Sequence, residues 1–512
     1  MTARDAVLGI DLGTSVVKAG IYTLDGVERA TGSSPIFLRQ SEGGRVEQDL
    51  DEFYQAAAQA TRQAVAGFDA ERIAAIAIAG QMAGVGIVDA DHRPLAPYDS
   101  WLDTRCGGVV AEMSAGLGER IIASAGCAPT ISIGPKMLWW QRYEPEVCAQ
   151  AAAFVTAAGY VAGRAAGLSG SEAFIDPSHL HFTSVADVGT ATWDDELVEA
   201  LGLAPELLPT IVESTSVVGR LTQEAAADFG LPAGIPIAAG CGDTAAGAMG
   251  AGVTEPGQAF DVAGTAAVFG ACTTTFAPDV AGATLMTMRS ALQGRWYSLA
   301  YVGGAGQVIE WACREVLGRA VVDDDAYAEL ADAAVGVPPG SEGVMLLPHF
   351  NGRIAPVAPD TRGAVIGLTG TRTRAHLARA TLESIAYEYR GYADAVHRLV
   401  PDLDLVSVTG VGGGSRSAVW NQIKADVLGV RYTPVRGVEA GTRGAALVAI
   451  EALGHGEPRL EPTAFGPASV PDPSTTDAYR GGYEQYRWWT DHLVEAYRER
   501  GEHPRRQHGE SI

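Results

Sequence analysis

VLGIDLGTSVVKAGIY, residues 7–22, is an apolar strand that runs into Asp-Leu-Gly-Thr-Ser and straight out into a second apolar strand. A hairpin of this kind can grip a phosphate. Gly13 lets the backbone turn tightly and approach an anion, Thr14 and Ser15 offer hydroxyls beside free N–H groups, and Lys18 adds a positive charge. Asp11 suits the scheme only with a cation between it and the phosphates, because a bare carboxylate repels them; it points to Mg²⁺ held largely through water. Taken alone, the segment also reads as an ordinary hairpin with a turn glycine.

Working outward, 512 residues allow two to four domains at roughly 150 residues each, and 47% apolar residues can build substantial cores. A formal charge of -24, from 61 acidic and 37 basic residues, argues against a nucleic-acid or anionic-membrane surface and for locally concentrated positive charge. The chain has only three lysines, Lys18, Lys136 and Lys424, and one falls in the hairpin. Six cysteines are scattered without a CxxC pair or a companion His spacing, so reduced thiols fit better than a zinc site or a disulfide framework. No basic segment leads into an apolar core at the start, and no run approaches the roughly 18 apolar residues of a membrane span. The expectation is a cytoplasmic protein.

Short β-rich runs alternate with helical stretches, which is the α/β pattern. Residues 72–79 (RIAAIAIA) and 234–239 (GIPIAA) read as strands, and 51–66 as a helix. After the Gly-rich passage CGDTAAGAMGAGVTEPG, residues 258–270 (QAFDVAGTAAVFG) repeat the opening device of strand, Gly-Thr turn and strand. Two such turns facing each other across a cleft can hold a polyphosphate from both sides. The expected division is 1–248, then 249–500, then a polar tail at 501–512. Further on, 375–396 puts Leu382, Ile385, Tyr389 and Ala393 on one helical face, and the strand 405–409 empties into a glycine turn and a helix. A Pro-rich surface excursion at 458–473 precedes a last helix holding Tyr486, Trp488 and Trp489.

In order, DLGTSVVK, GQM at 80–82, SWLDTR at 100–105, GCGDTAAGAMG at 240–250, the Gly264-Thr265 turn and GVGGGSRSAVWNQ at 410–422 resemble the FGGY carbohydrate kinases over nearly the whole chain, with xylulokinases nearest in pattern. The resemblance implies two actin-like ATPase (ribonuclease H-like) domains with a cleft between them, and transfer of the γ-phosphoryl of ATP to a hydroxyl of a ketose or polyol, xylulose foremost. It assigns Asp243 as catalytic base and places Asp11 and Asp243 at the Mg²⁺. It carries Gly13, Thr14, Ser15 and Lys18 to the first phosphate turn and Gly264 and Thr265 to the second. Gly306 approaches the phosphates on this reading, Gly412, Gly413 and Gly414 lie against the adenosine, and Ser417 sits near the base. Members of that family are often dimers, and nothing in the sequence marks an interface.

Several of these residues have plainer readings. Asp243 could merely cap a helix starting at Thr244, and the glycine run could be a bare strand-to-helix turn. For the sugar, the resemblance names Gln81, Met82, Trp101 and Asp103, where an aromatic face packs on carbon and a carboxylate accepts from hydroxyls. Against that, Trp101 could be core and Asp103 the ion-pair partner of Arg105. One departure stands out: xylulokinases carry Gly-Gln-Met-His-Gly where this chain has GQMAG, with Ala83 in place of the His. His179 and His181, in AFIDPSHLHFTSVADV, are the candidates to replace it. A non-enzymatic ATP-binding module is the reading from another class, and a Rossmann dehydrogenase fails because GVGGGS lacks the GxGxxG spacing.

Overall fold

The computed structural model describes residues 4–264, 267–455 and 464–500; Thr265, the first part of the Pro-rich segment (458–463) and the tail at 501–512 lie outside the described residues. The opening hairpin forms as expected. β1 (Ala6–Leu12) and β2 (Val16–Thr23) pair antiparallel with Asp11 opposite Lys18, and β3 (Glu28–Pro35) continues the meander. The chain then forms α1 (Leu50–Val65), whose N-cap Asp49 accepts from the N–H groups of Asp51 and Glu52. Its buried face, Phe53, Ala57, Ala60 and Ala64, lies on β2 and β3. β4 (Ile73–Gly80) returns parallel to β1 and is buried at every position, which is why it reads as an unbroken apolar run. β5 (Val217–Arg220) and β6 (Pro236–Ala238) complete a sheet in the order β3-β2-β1-β4-β6-β5.

The second half repeats this plan. β7 (Gln258–Ala263) and β8 (Ala267–Thr273) form the matching antiparallel hairpin, followed by β9 (Met286–Arg289), β10 (Trp296–Val302), β11 (Ser407–Val411) and β12 (Arg431–Pro434). The order is β9-β10-β8-β7-β11-β12, and β11 lies parallel to β7 as β4 does to β1. Sheet position and strand direction therefore correspond hairpin for hairpin.

Helices tie the two sheets together. α2 (Asp243–Gly250) starts at the end of the first sheet; α3 (Arg374–Leu399) and α4 (Ala418–Leu428) cover the second sheet, and α5 (Ala440–Ala452) comes last of these in the chain. Although α5 lies far beyond residue 248, it packs on β1, β4 and α2 of the first sheet. Small residues permit this approach. A Cβ on Gly444 would stand 1.9 Å from the carbonyl oxygen of Ala246, and one on Gly250 would stand 1.8 Å from that of Ala440, so the two helices cross backbone to backbone.

The second lobe also has a buried polar anchor. Asp261 of β7 is fully buried and accepts from Lys424 (2.5 Å), Tyr389 (2.6 Å) and Tyr432 (2.6 Å), so the third lysine belongs to the core. Among the described residues no helix is long and apolar enough to cross a membrane.

Candidate active site

A cavity of about 400 Å³ opens between the lobes. Met82, Ala83, Trp101 and Phe182 form its first-lobe wall, Tyr301, Ile354 and Val357 face them from the second, and Asp243 and Thr244 lie between. Asp243 is the first residue of α2. The N-cap is Gly242, so Asp243 is not the cap of a helix beginning at Thr244. Its carboxylate accepts from the Thr244 hydroxyl at 3.2 Å. Burial pushes its pKa up, against the opposing pull of the Thr244 hydroxyl and of His179. Glycine at 242 leaves room for the Met82 side chain, whose sulfur would stand 2.5 Å from a Cβ there, and the Gly242 N–H donates to the Ser178 hydroxyl at 2.8 Å.

Asp11 ends β1 beside this group. Burial, and next the charge of Asp243, push its carboxyl up to about 7, and its Oδ1 is buried without a hydrogen-bond partner. Two carboxylates that disfavour each other's ionisation, one with an unpaired oxygen, suit a cation. Among the described residues no cluster of three or more His, Cys, Asp or Glu side chains could cage a metal by itself. That donor set fits Mg²⁺, which keeps most of its waters or takes phosphate oxygens.

The first turn is tied to the cavity wall through Thr14, whose hydroxyl accepts from the Trp101 indole N–H at 3.0 Å and whose carbonyl accepts from Gln48 at 3.0 Å. Ser15 is exposed, and Gly13 occupies the tight bend between β1 and β2. Lys18 pairs with Glu439 at 2.6 Å; both side chains are about half exposed, so the pair contributes at most about 1 kcal/mol and can open. Gly264 ends β7 on an exposed bend, its neighbour Thr265 lies outside the described residues, and Gly306 is in the first turn of the helix Ala305–Trp311.

Two domain descriptions of the FGGY family of carbohydrate kinases match the chain, the N-terminal domain over residues 6–250 and the C-terminal domain over 260–453. The xylulose kinase of Escherichia coli (strain K12) is 30% identical over 485 residues, covering 94% of this chain and 97% of that protein. The chain belongs to the FGGY family of carbohydrate kinases. Its fold is that of the solved FGGY enzymes. The xylulose kinase structure from Rhodospirillum rubrum superposes with a TM-score of 0.86 at 26% identity, over 96% of this chain and 100% of that one. Gluconate kinase from Lactobacillus acidophilus shares the fold at a TM-score of 0.87 and 22% identity, over 96% and 99%. The two lobes are thus actin-like ATPase domains, and the molecule is an ATP-dependent sugar kinase.

Not every site residue expected for an FGGY kinase reaches the cavity. Asp103, expected at the sugar, does not line the cavity: it is 1% exposed, and its carboxylate accepts from the Val46 N–H at 2.9 Å and from the side chain and N–H of Arg105 at 2.9 to 3.0 Å. Gln81 does not line the cavity either: it is 1% exposed, its amide N–H donates to Gln48 at 2.8 Å behind the Thr14 turn, and its Oε1 is buried without a hydrogen-bond partner. Ser417 is the N-cap of α4, its hydroxyl accepting from the Trp420 N–H. Of the glycine run, Gly412 needs its φ of 86° and Gly414 is pressed against Ala263 and Trp420, leaving Gly413 facing open space. His179 and His181 are buried off the cavity wall. The His179 Nδ1 meets Asp176 at 2.5 Å, and burial drives the His181 pKa down to about 3.

Conversely, the structure adds residues that sequence patterns did not single out. Tyr301 reaches Thr244 across the lobes, and Glu439 holds Lys18. Thr244 was adjacent to a recognised Asp, whereas Tyr301 ends an apolar strand with no local signal.

Proposed function

We propose that this kinase transfers the γ-phosphoryl group of ATP to a hydroxyl of a ketose, with xylulose its sugar. The single observation that supports this most is the placement of Asp243, a carboxylate with raised basicity at the floor of a cavity shared by both lobes. The sugar skeleton packs on Trp101 and Met82. Asp243 accepts the proton of the attacking hydroxyl, a task suited to a carboxylate whose pKa is moved toward the working pH. The phosphates lie between the turn at 13–15 and the turn at 264–265, and Lys18 exchanges Glu439 for a phosphate oxygen. Adenosine lies along 412–414, where Gly413 presents backbone without a side chain. Asp11 and Asp243 would hold Mg²⁺, which when bound neutralises charge on the phosphates. Closure of the lobes excludes water that would otherwise take the phosphoryl group. None of the six cysteines forms a disulfide, which suits a reducing cytoplasm.

Ala83 favours a second reading, another ketose or polyol, since no imidazole is available there to pair with a sugar hydroxyl. ADP release measured against a panel of pentuloses, hexuloses, tetritols and gluconate tests both. Turnover dependent on xylulose is the expected result; strong turnover with a different sugar selects the second reading, and sugar-independent ATP hydrolysis at an unchanged rate overturns both.

A further inference from the structure

Lys136 is the one lysine without a role so far. It lies on the helix Ile133–Tyr143, is 1% exposed, and donates from Nζ to two carbonyls, that of Ala83 at 2.9 Å and that of Ser100 at 2.6 Å. These carbonyls belong to two different loops, both at the cavity wall. Ala83 lines the cavity and holds a left-handed backbone with φ 62°, a conformation that a residue with a Cβ keeps only when its surroundings impose it. Ser100 immediately precedes Trp101, which lines the same cavity and whose indole reaches the phosphate turn at Thr14. Lys136 itself does not line the cavity.

Burying an ammonium is costly unless its protons are bonded and its charge is balanced. Asp99 and Asp103 supply the balancing charge; Arg105, paired with both, opposes it, and the Cys106 thiol stands nearby. Burial lowers the Lys136 pKa to about 8. Such an arrangement is more than core filling, because an apolar side chain there would take from the Ala83 carbonyl its Lys136 donor and leave the Ser100 carbonyl with the Asp103 N–H alone.

We propose that Lys136 is a positioning residue for the sugar: one buried cation fastens the residue-83 loop to the Trp101 loop and so sets the width and shape of the sugar wall. This rests on the reading of the cavity as the sugar site. Removing the clamp releases Ala83 from its left-handed conformation and lets Trp101 move, which weakens sugar binding. The first phosphate turn loses at most its Trp101 tie and keeps the one from Gln48 to the Thr14 carbonyl.

The test uses the full chain, with K136M, K136Q and K136R compared to wild type by KM for xylulose, KM for ATP, kcat and Tm. Expected are a rise of at least tenfold in the sugar KM for K136M with the ATP KM within twofold of wild type, and recovery of the sugar KM to within about threefold in K136R. If K136M does not fold, K136Q, which keeps a donor, carries the same comparison. A sugar KM within twofold of wild type in a folded K136M or K136Q overturns the proposal, as does a parallel rise in both KM values, which marks a structural role only. A wild type silent toward every sugar overturns the sugar-site reading and this inference with it.

Discussion

At the residue scale, the site is organised by which carboxylates are spent and which are free. Asp103 is spent on Arg105 and the Val46 N–H, and removing one partner of a buried pair leaves the other uncompensated. Asp103→Asn should therefore cost on the order of 2 to 4 kcal/mol in denaturant unfolding, with the sugar KM changed less than threefold; a large KM rise at unchanged stability would restore it to the sugar site. Asp11 is free, and its state is legible in pH. With a folded pKa near 7 against an ordinary 3.8, the folded chain binds the extra proton between those values. The stability this group contributes is thus full below pH about 4 and drains away as the pH rises to 7. Asp243, raised in the same direction, adds to the trend. Asp11→Asn should flatten the fall of Tm between pH 5 and pH 7.5 seen by scanning fluorimetry. An equally steep fall in the variant would show that Asp11 is not the titrating group. Asp243 and the Thr14 turn were readable from short motifs, because Gly-Thr and Gly-Asp-Thr turns carry their chemistry locally. For Asp103 the ion pair with Arg105 was open to reading as the plainer alternative, two residues apart in the chain, whereas the tie to the Val46 N–H was not, since that partner lies 57 residues away.

At the element scale, the α2–α5 crossing matters most. Backbone contact at Gly444 leaves no rotamer by which a larger side chain can escape. Gly444→Val should destabilise by about 3 kcal/mol or more. Gly247 on α2 meets nothing within 4 Å, so Gly247→Ala should be neutral or stabilising by up to about 1 kcal/mol. Equal effects of the two in denaturant unfolding would contradict the packing described. Strands and helices of the sheets were recovered from apolar runs and spacing to within one to three residues, as β4 (72–79 expected) and α3 (375–396 expected) show. The docking of α5 on the first sheet was not, because AGTRGAALVAI reads only as a helix with a face of small residues. Which surface that face meets is a long-range fact, 190 residues from its partner helix.

At the scale of the whole molecule, the repeated hairpin announced a duplicated sheet, and five strands of each sheet correspond in place and direction, β3-β2-β1-β4-β6 to β10-β8-β7-β11-β12, while β5 and β9 have no counterpart. Their shared cavity, with Asp243 among its lining residues, takes its walls from both lobes, so neither lobe forms it alone. A base contributes typically 10²- to 10⁴-fold to phosphoryl transfer. The most direct test is sugar-dependent ADP release by wild type and Asp243→Asn, each checked for an unchanged melting profile. The account predicts release that rises with the preferred ketose in wild type and falls by about 10²-fold or more in the variant. A folded Asp243→Asn protein that phosphorylates the sugar at near wild-type rate would contradict it.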